Sequence, residues 1–297
     1  MKTLQIIKKE YQRVGFDEND IEPIEYTEVK AQYNEHGQII REERYDADGN
    51  LNTLTINTYD DNTLLTQTEQ YDQDNTLLQK SINTYNDQRK IVQQSNFFGD
   101  EENEYVTKYI YDEDDNLLRH EMYFEGELDY VEKIMEYENG LMVKETENDD
   151  YGNTMYVNTY AYNENGLVIK HVRDEIQDKD RRTREYTYDE NGNCVKELVY
   201  DFNDALISKT YRTYNDKNQL VETEEEDLDT YRKITLEYDG DLCMKNTIFT
   251  KEGNIRGWAE YAYDENGREV AAREFIPDEV QPENFRQLRE TRYERGN

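Results

Sequence analysis

The side chains best equipped for chemistry are few and scattered. Three histidines, His36, His120 and His171, and two cysteines, Cys194 and Cys243, are all the imidazole and thiol in 297 residues. A general base needs a partner within hydrogen-bond reach, and nucleophilic or metal sites need clustered groups at set spacings. No G-x-S-x-G, Walker, H-E-x-x-H or C-x-x-C motif is present. Carboxylates are so abundant, 69 Asp and Glu against 35 Lys and Arg, that a glycosidase-like pair would occur by density alone. The alternating oxygens of Asp46, Asp48 and Asn50, and of Asp112, Asp114 and Asn116, imitate a calcium loop. The twelfth position of each, where a bidentate acid belongs, is Asn57 and Tyr123. The reading is therefore no catalytic residues, no metal and no cofactor: the protein is not an enzyme.

Charge points instead to recognition. The formal net charge of −34 disfavours nucleic acid and anionic membrane, both of which need a basic face. It favours a basic protein, drawn in by electrostatic steering. The densest acidic runs are FFGDEENE at 97–104 and VETEEEDLDT at 221–230. Asp100, Glu101, Glu102, Glu224, Glu225, Glu226 and Asp227 are the candidate contact residues, on loops whose sequence varies from one to the next.

Those loops must be positioned by a repeating scaffold. Tyr33, Tyr59, Tyr85, Tyr111, Tyr137, Tyr162, Tyr188, Tyr214, Tyr238 and Tyr263 recur about every 26 residues, which marks a repeat array. Each is followed by turn chemistry, as in YNEHGQII, YDEDDNLL and YDENGNCV: Asp or Asn to bond its own backbone, then Gly or Asn for a left-handed position. A second turn falls twelve residues on, at Tyr45, Tyr71, Tyr123 and Tyr200. The unit is thus two strands and two turns, with marker turns on one edge of the sheet and variable turns on the other. Ten units give an all-β antiparallel meander of about twenty strands. So long a sheet is expected to coil into a superhelical strip or a partly closed shell. If strands lie ~4.8 Å apart, Cys194 and Cys243 sit roughly 19 Å apart, as free thiols.

The Y-D-x-x-G-N-L pattern, repeated over residues 26–275, resembles the YD repeats of Rhs-type proteins, whose β-strips wind into shells around toxins. A weaker likeness is to MORN-like hairpin repeats, although 14 glycines are too few for that Gly-rich pattern. The resemblance implies a β-repeat scaffold. It also implies, from small intracellular proteins of such repeats, an immunity role with a toxin as the basic partner.

Residues 1–25 read as an atypical capping unit, 26–276 as the array, and 277–297 as a C-terminal cap. In that cap Phe285, Leu288 and Tyr293 allow a short inward-facing helix, folded back over the last edge strand. The N-terminus lacks the apolar core of a signal peptide and no stretch is long enough to span a membrane. The expectation is a cytoplasmic, protein-binding scaffold of open oligomeric state. The alternative is a structural or carbohydrate-binding protein that uses its tyrosine-rich face.

Overall fold

Five-residue turns set the strand lengths. In the turn after Tyr45, Asp46 N–H donates to Asn50 O at 3.0 Å and Gly49 N–H returns to Asp46 O at 3.1 Å. The Asp46 carboxylate accepts from Asp48 N–H at 3.0 Å and Asn50 N–H at 2.8 Å. The same pattern recurs after the marker tyrosines, for example at Asn34, Asp112, Asn163 and Asp189. The fourth position must be left-handed, which is why Gly37, Gly49, Gly166 and Gly192 occupy it. Where it is Thr63, with φ 68°, a β-branched residue carries the strain. Two-residue loops with both central φ positive appear at Glu125–Gly126 and Asn139–Gly140, the hairpin geometry that matches strand twist.

The computed structural model describes residues 2–13, 21–99, 105–277 and 285–296. Its strands are β1 (Lys2–Arg13), β2 (Ile21–Tyr33), β3 (Ile39–Tyr45), β4 (Leu51–Tyr59), β5 (Leu65–Tyr71), β6 (Leu77–Tyr85), β7 (Ile91–Phe98) and β8 (Tyr105–Tyr111). There follow β9 (Leu117–Phe124), β10 (Glu127–Glu138), β11 (Leu141–Asn148), β12 (Thr154–Tyr162), β13 (Val168–Glu175), β14 (Asp180–Tyr188) and β15 (Cys194–Tyr200). The last are β16 (Leu206–Tyr214), β17 (Leu220–Asp227), β18 (Tyr231–Asp239), β19 (Leu242–Phe249), β20 (Ile255–Tyr263), β21 (Glu269–Pro277) and β22 (Phe285–Gly296).

All belong to one 22-stranded sheet. The described ladders are antiparallel and join strands consecutive in sequence, with one exception: β1 also pairs with β22, from Thr3 opposite Gly296 to Glu10 opposite Arg289. The meander therefore closes into a 22-stranded β-barrel. This corrects the superhelical strip or partly closed shell. Twist alone left the end strands unpaired, whereas pairing them removes the free edges that an open sheet must protect. The helix allowed within 277–297 is corrected too, because Phe285–Gly296 is a strand paired with β21 and β1.

Two compact units make up the chain. Met1–Lys80, Tyr214–Glu222 and Arg232–Asn297 form the first, in which Val29, Ala31, Leu54, Ala259 and Ala271 are buried. Ser81–Thr213 and Thr223–Tyr231 form the second, with Val106, Met135, Asn158 and Glu121 buried. No described side chain falls below 2% exposure, so the hydrophobic core is thin and hydrogen bonds carry much of the specificity. The marker tyrosines supply many of them. Tyr59 donates to Ile39 O at 3.0 Å, Tyr111 to Ile91 O at 2.9 Å, Tyr188 to Val168 O at 2.7 Å and Tyr263 to Cys243 O at 2.7 Å.

Candidate protein-binding rims

Alternation along a strand sends successive side chains to opposite faces, and both faces are ionic. In the first unit Arg41 pairs with Glu43 at 2.8 Å on one face, and Arg44 with Glu42 at 2.8 Å on the other. In the second unit Lys133 pairs with Glu147 at 3.6 Å and, on the opposite face, Lys144 with Glu136 at 2.6 Å. Glu121, 7% exposed, is held by Arg119 at 2.6 Å and by the Tyr123 hydroxyl at 2.9 Å. Tyr45 makes the equivalent bond to Glu43. Burial, and then that bond, push the Tyr45 phenol up to about 12, while the same bond, with Arg41, holds the Glu43 carboxyl below its usual range against burial. Strand carboxylates thus largely meet cations.

The turns follow that rule less closely, although Asp115 meets Lys90 at 3.5 Å and Asp264 meets Arg268 at 2.8 Å. In the second unit the marker turn at 112–116 carries Asp112, Glu113, Asp114 and Asp115, and later marker turns in this unit add Glu164, Asp189 and Glu190. Turns on the other edge of the same unit add Asp149, Asp150, Asp201 and Asp204. Asp112 and Asp189 are held below the usual carboxylate range by the side-chain amide four residues on, then by the turn's own N–H groups. They stay ionised through any physiological pH. Neighbouring marker turns are tied to one another: Gln38 Nε2 donates to Thr63 O at 2.7 Å, Lys90 Nζ to Asp115 O at 2.6 Å, and Gln219 Nε2 to Gly240 O at 2.9 Å. Neighbouring turns are therefore tied into a row whose acids are interspersed with bases such as Arg89 and Lys90. The row repeats every two strands, or roughly 10 Å.

The sequence-predicted residues are placed unevenly. Asp100, Glu101 and Glu102 lie outside the described residues. Glu224, Glu225 and Glu226 stand in β17, not in a loop, and are half-buried. Glu226 is taken up by Lys209 at 2.7 Å. Asp227 builds its turn by accepting from Asp229 N–H at 2.9 Å and Thr230 N–H at 2.7 Å. The marker turns carry acids as well, in numbers similar to those of the other edge.

The histidines are dispersed. His36 sits exposed on a turn, while His120 and His171 lie on β9 and β13, about 19 Å apart at ~4.8 Å per strand. Burial lowers both imidazole pKa values. No group of three or more His, Cys, Asp or Glu able to hold a metal exists among the described residues. Both cysteines are free.

Replacing Asp189 by alanine removes acceptors for Asn191 N–H, Asn193 N–H and Asn193 Nδ2, at 2.9, 2.8 and 2.9 Å. The expected result is a lower Tm for Asp189→Ala and a smaller drop for Asp189→Asn, which keeps the Oδ1 acceptor. Equal losses in thermal denaturation would show that charge, not turn geometry, matters there.

No protein-family model and no curated protein matches the chain. Among solved structures it is similar to TcdB2-TccC3-Cdc42, with 13% identity and a TM-score of 0.38 over 84% of this chain and 15% of that one. TcdB2-TccC3 without hypervariable C-terminal region gives 14%, 0.38, 83% and 15%. A porin-like protein from Bacteroides uniformis ATCC 8492 gives 11% identity and 0.38 over 98% of this chain and 96% of that one. The chain spans about 15% of the length of the TcdB2-TccC3 chains it matches. Values this low assign neither family nor function.

Proposed function

We propose that the protein is a non-catalytic binding scaffold whose acidic turn rims engage a basic protein partner, in the manner of an immunity protein that occupies a cationic toxin. The observation that carries this is the partition of charge. Many strand carboxylates are matched by Lys or Arg, while most turn acids lie exposed beside turn-forming groups such as Asp112 and Asp189, which are held ionised. Fixed like charges with a low entropy cost of ordering are suited to a complementary surface.

No described helix is long and apolar enough to cross a membrane, which says nothing of a strand barrel. A spanning barrel needs an outward apolar band about 25 Å tall. Ion pairs on both faces, such as Arg41–Glu43 and Arg44–Glu42, oppose such a band. Our reading therefore keeps the protein in water, and in the cytoplasm. We favour this reading over the carbohydrate-binding alternative because the marker hydroxyls, bonded to backbone carbonyls, offer a sugar fewer polar groups.

The test is co-purification at low salt, identification of the bound protein by mass, and titration of the purified pair. Affinity is expected to fall at least tenfold between about 50 and 300 mM salt, since exposed charges are screened beyond ~10 Å at 0.1 M. It should also fall in Glu113→Gln/Asp114→Asn/Asp115→Asn, none of which is the turn-forming Asp112. Salt-independent binding unaffected by those substitutions would remove the rims from the mechanism.

A further inference from the structure

The ladder that closes the sheet differs from every other described ladder. It has no connecting turn, since its two strands are β1 and β22. Both are 12 residues long, against seven to nine for most of the array. Both are rich in Lys or Arg within a protein of net charge −34. Their register opposes unlike charges directly: Lys9 faces Glu290, and Glu10 faces Arg289, with a Glu10–Arg289 distance of 3.2 Å. Arg292 reaches past β1 to Glu25 on β2 at 2.7 Å. Sliding β22 by two residues would set Lys9 against Arg292 in one direction and Lys8 against Arg289 in the other. Directly opposed like charges are destabilising, so charge fixes the register of closure.

Nothing in that ladder requires both strands to belong to one chain. A hairpin ladder is favoured by its short loop, whereas this one closes a loop of nearly the whole chain, whose entropic cost grows with the logarithm of its length. We propose that the β1–β22 seam is an exchangeable closure, and that its second occupant is another copy of this chain. Two opened copies pair β1 of each with β22 of the other, forming a strand-exchanged dimer that leaves no free edge.

Charge swapping tests this. One variant carries Lys9→Glu and Glu10→Lys, the other Arg289→Glu and Glu290→Arg. Each alone opposes like charges within its own seam. Mixed at micromolar concentration, they can match every seam charge only across two chains, one seam native and the other fully swapped. Sedimentation is expected to show a heterodimer of twice 35.7 kDa on mixing, and a wild-type-like monomer for the quadruple variant, whose swapped charges again match within one chain. A mixture that sediments as two independent species, whether closed monomers or unfolded chains, would overturn the proposal. A second measurement uses the opposed residues Gln5 and Glu294. Gln5→Cys and Glu294→Cys, each in a Cys194→Ser/Cys243→Ser background, should form a disulfide-linked dimer when mixed and oxidised. Failure to cross-link, while the double variant Gln5→Cys/Glu294→Cys locks as a monomer at every concentration, would show that closure occurs only within one chain.

Discussion

Replacing Gly257 by alanine is expected to cost about 1–3 kcal/mol, the range for an overpacked interior. A Cβ there would lie 2.7 Å from the Phe275 carbonyl oxygen, which is backbone and cannot rotate aside. Gly257 stands opposite Ile248 on β19, next to a register irregularity, and β21 approaches it from the other side. The unfolded chain loses freedom on Gly→Ala, which alone would stabilise by about 0.4–1 kcal/mol. The clash is the larger effect because relief requires moving β21. That strand cannot move without disturbing Trp258, which stacks on Phe275 at 4.9 Å and packs against Phe285 at 4.6 Å. As Trp258 is the sole tryptophan, its emission should shift in Gly257→Ala while Tm falls by several degrees. An unchanged Tm would mean that β21 yields freely.

Asn158→Ala is expected to be comparably severe, about 2–3 kcal/mol, for a different reason. Asn158 is 3% exposed, donates from Nδ2 to Glu145 Oε1 at 3.2 Å, and lies 3.0 Å by Oδ1 from His171 Nε2. Glu145 can only accept, so the amide nitrogen faces it, and Oδ1 faces the imidazole. His171 therefore carries its proton on Nε2. Removing the amide leaves both neighbours without that partner in a half-buried site, where an unmet polar group costs about 1–3 kcal/mol.

The same cluster predicts an acid dependence. Burial, then Arg184 and Arg173, hold the His171 pKa below its ordinary value, with Glu145 opposing them. His120 moves in the same direction through burial, against Glu132. A folded pKa below the unfolded ~6.5 gives stability that is whole above that value and declines as pH falls through it. Wild-type Tm should thus drop between about pH 7 and 5.5, well before the turn aspartates titrate below ~4. His171→Gln should flatten part of that slope. An identical slope in the variant would dismiss the imidazole as its source.

Much of this scaffold is written in local chemistry. Asp or Asn after most of the marker tyrosines, and a residue able to turn left-handed three residues later, most often Gly, specify the turn through bonds that never leave it, a pattern Asp46 also shows. Strand limits follow from turn spacing. Closure could not be read the same way, since pairing β1 with β22 depends on residues nearly 300 apart in sequence. The β22 segment misled for another reason. Phe285, Leu288 and Tyr293 read as one face of a helix, and a strand half-wet on both faces shows no clear period of two. The acidic run at 222–227 read as a loop because five like charges seem too many for a strand. Lys209 and Lys233, from the neighbouring strands, neutralise Glu226 and Glu222 there. Charge matching across a sheet leaves no trace in the local sequence.

An antiparallel seam also imposes parity. Consecutive strands of a meander alternate in direction, so the first and last can meet antiparallel only when the strand number is even, as 22 is. Loss of one strand would bring β1 and β22 together parallel and scramble their facing charges. Loss or gain of one whole repeat changes the count by two and keeps the match. The two-strand unit is thus the smallest step by which this molecule can change size and still close, and removing residues 163–188 is the deletion that should preserve the ring.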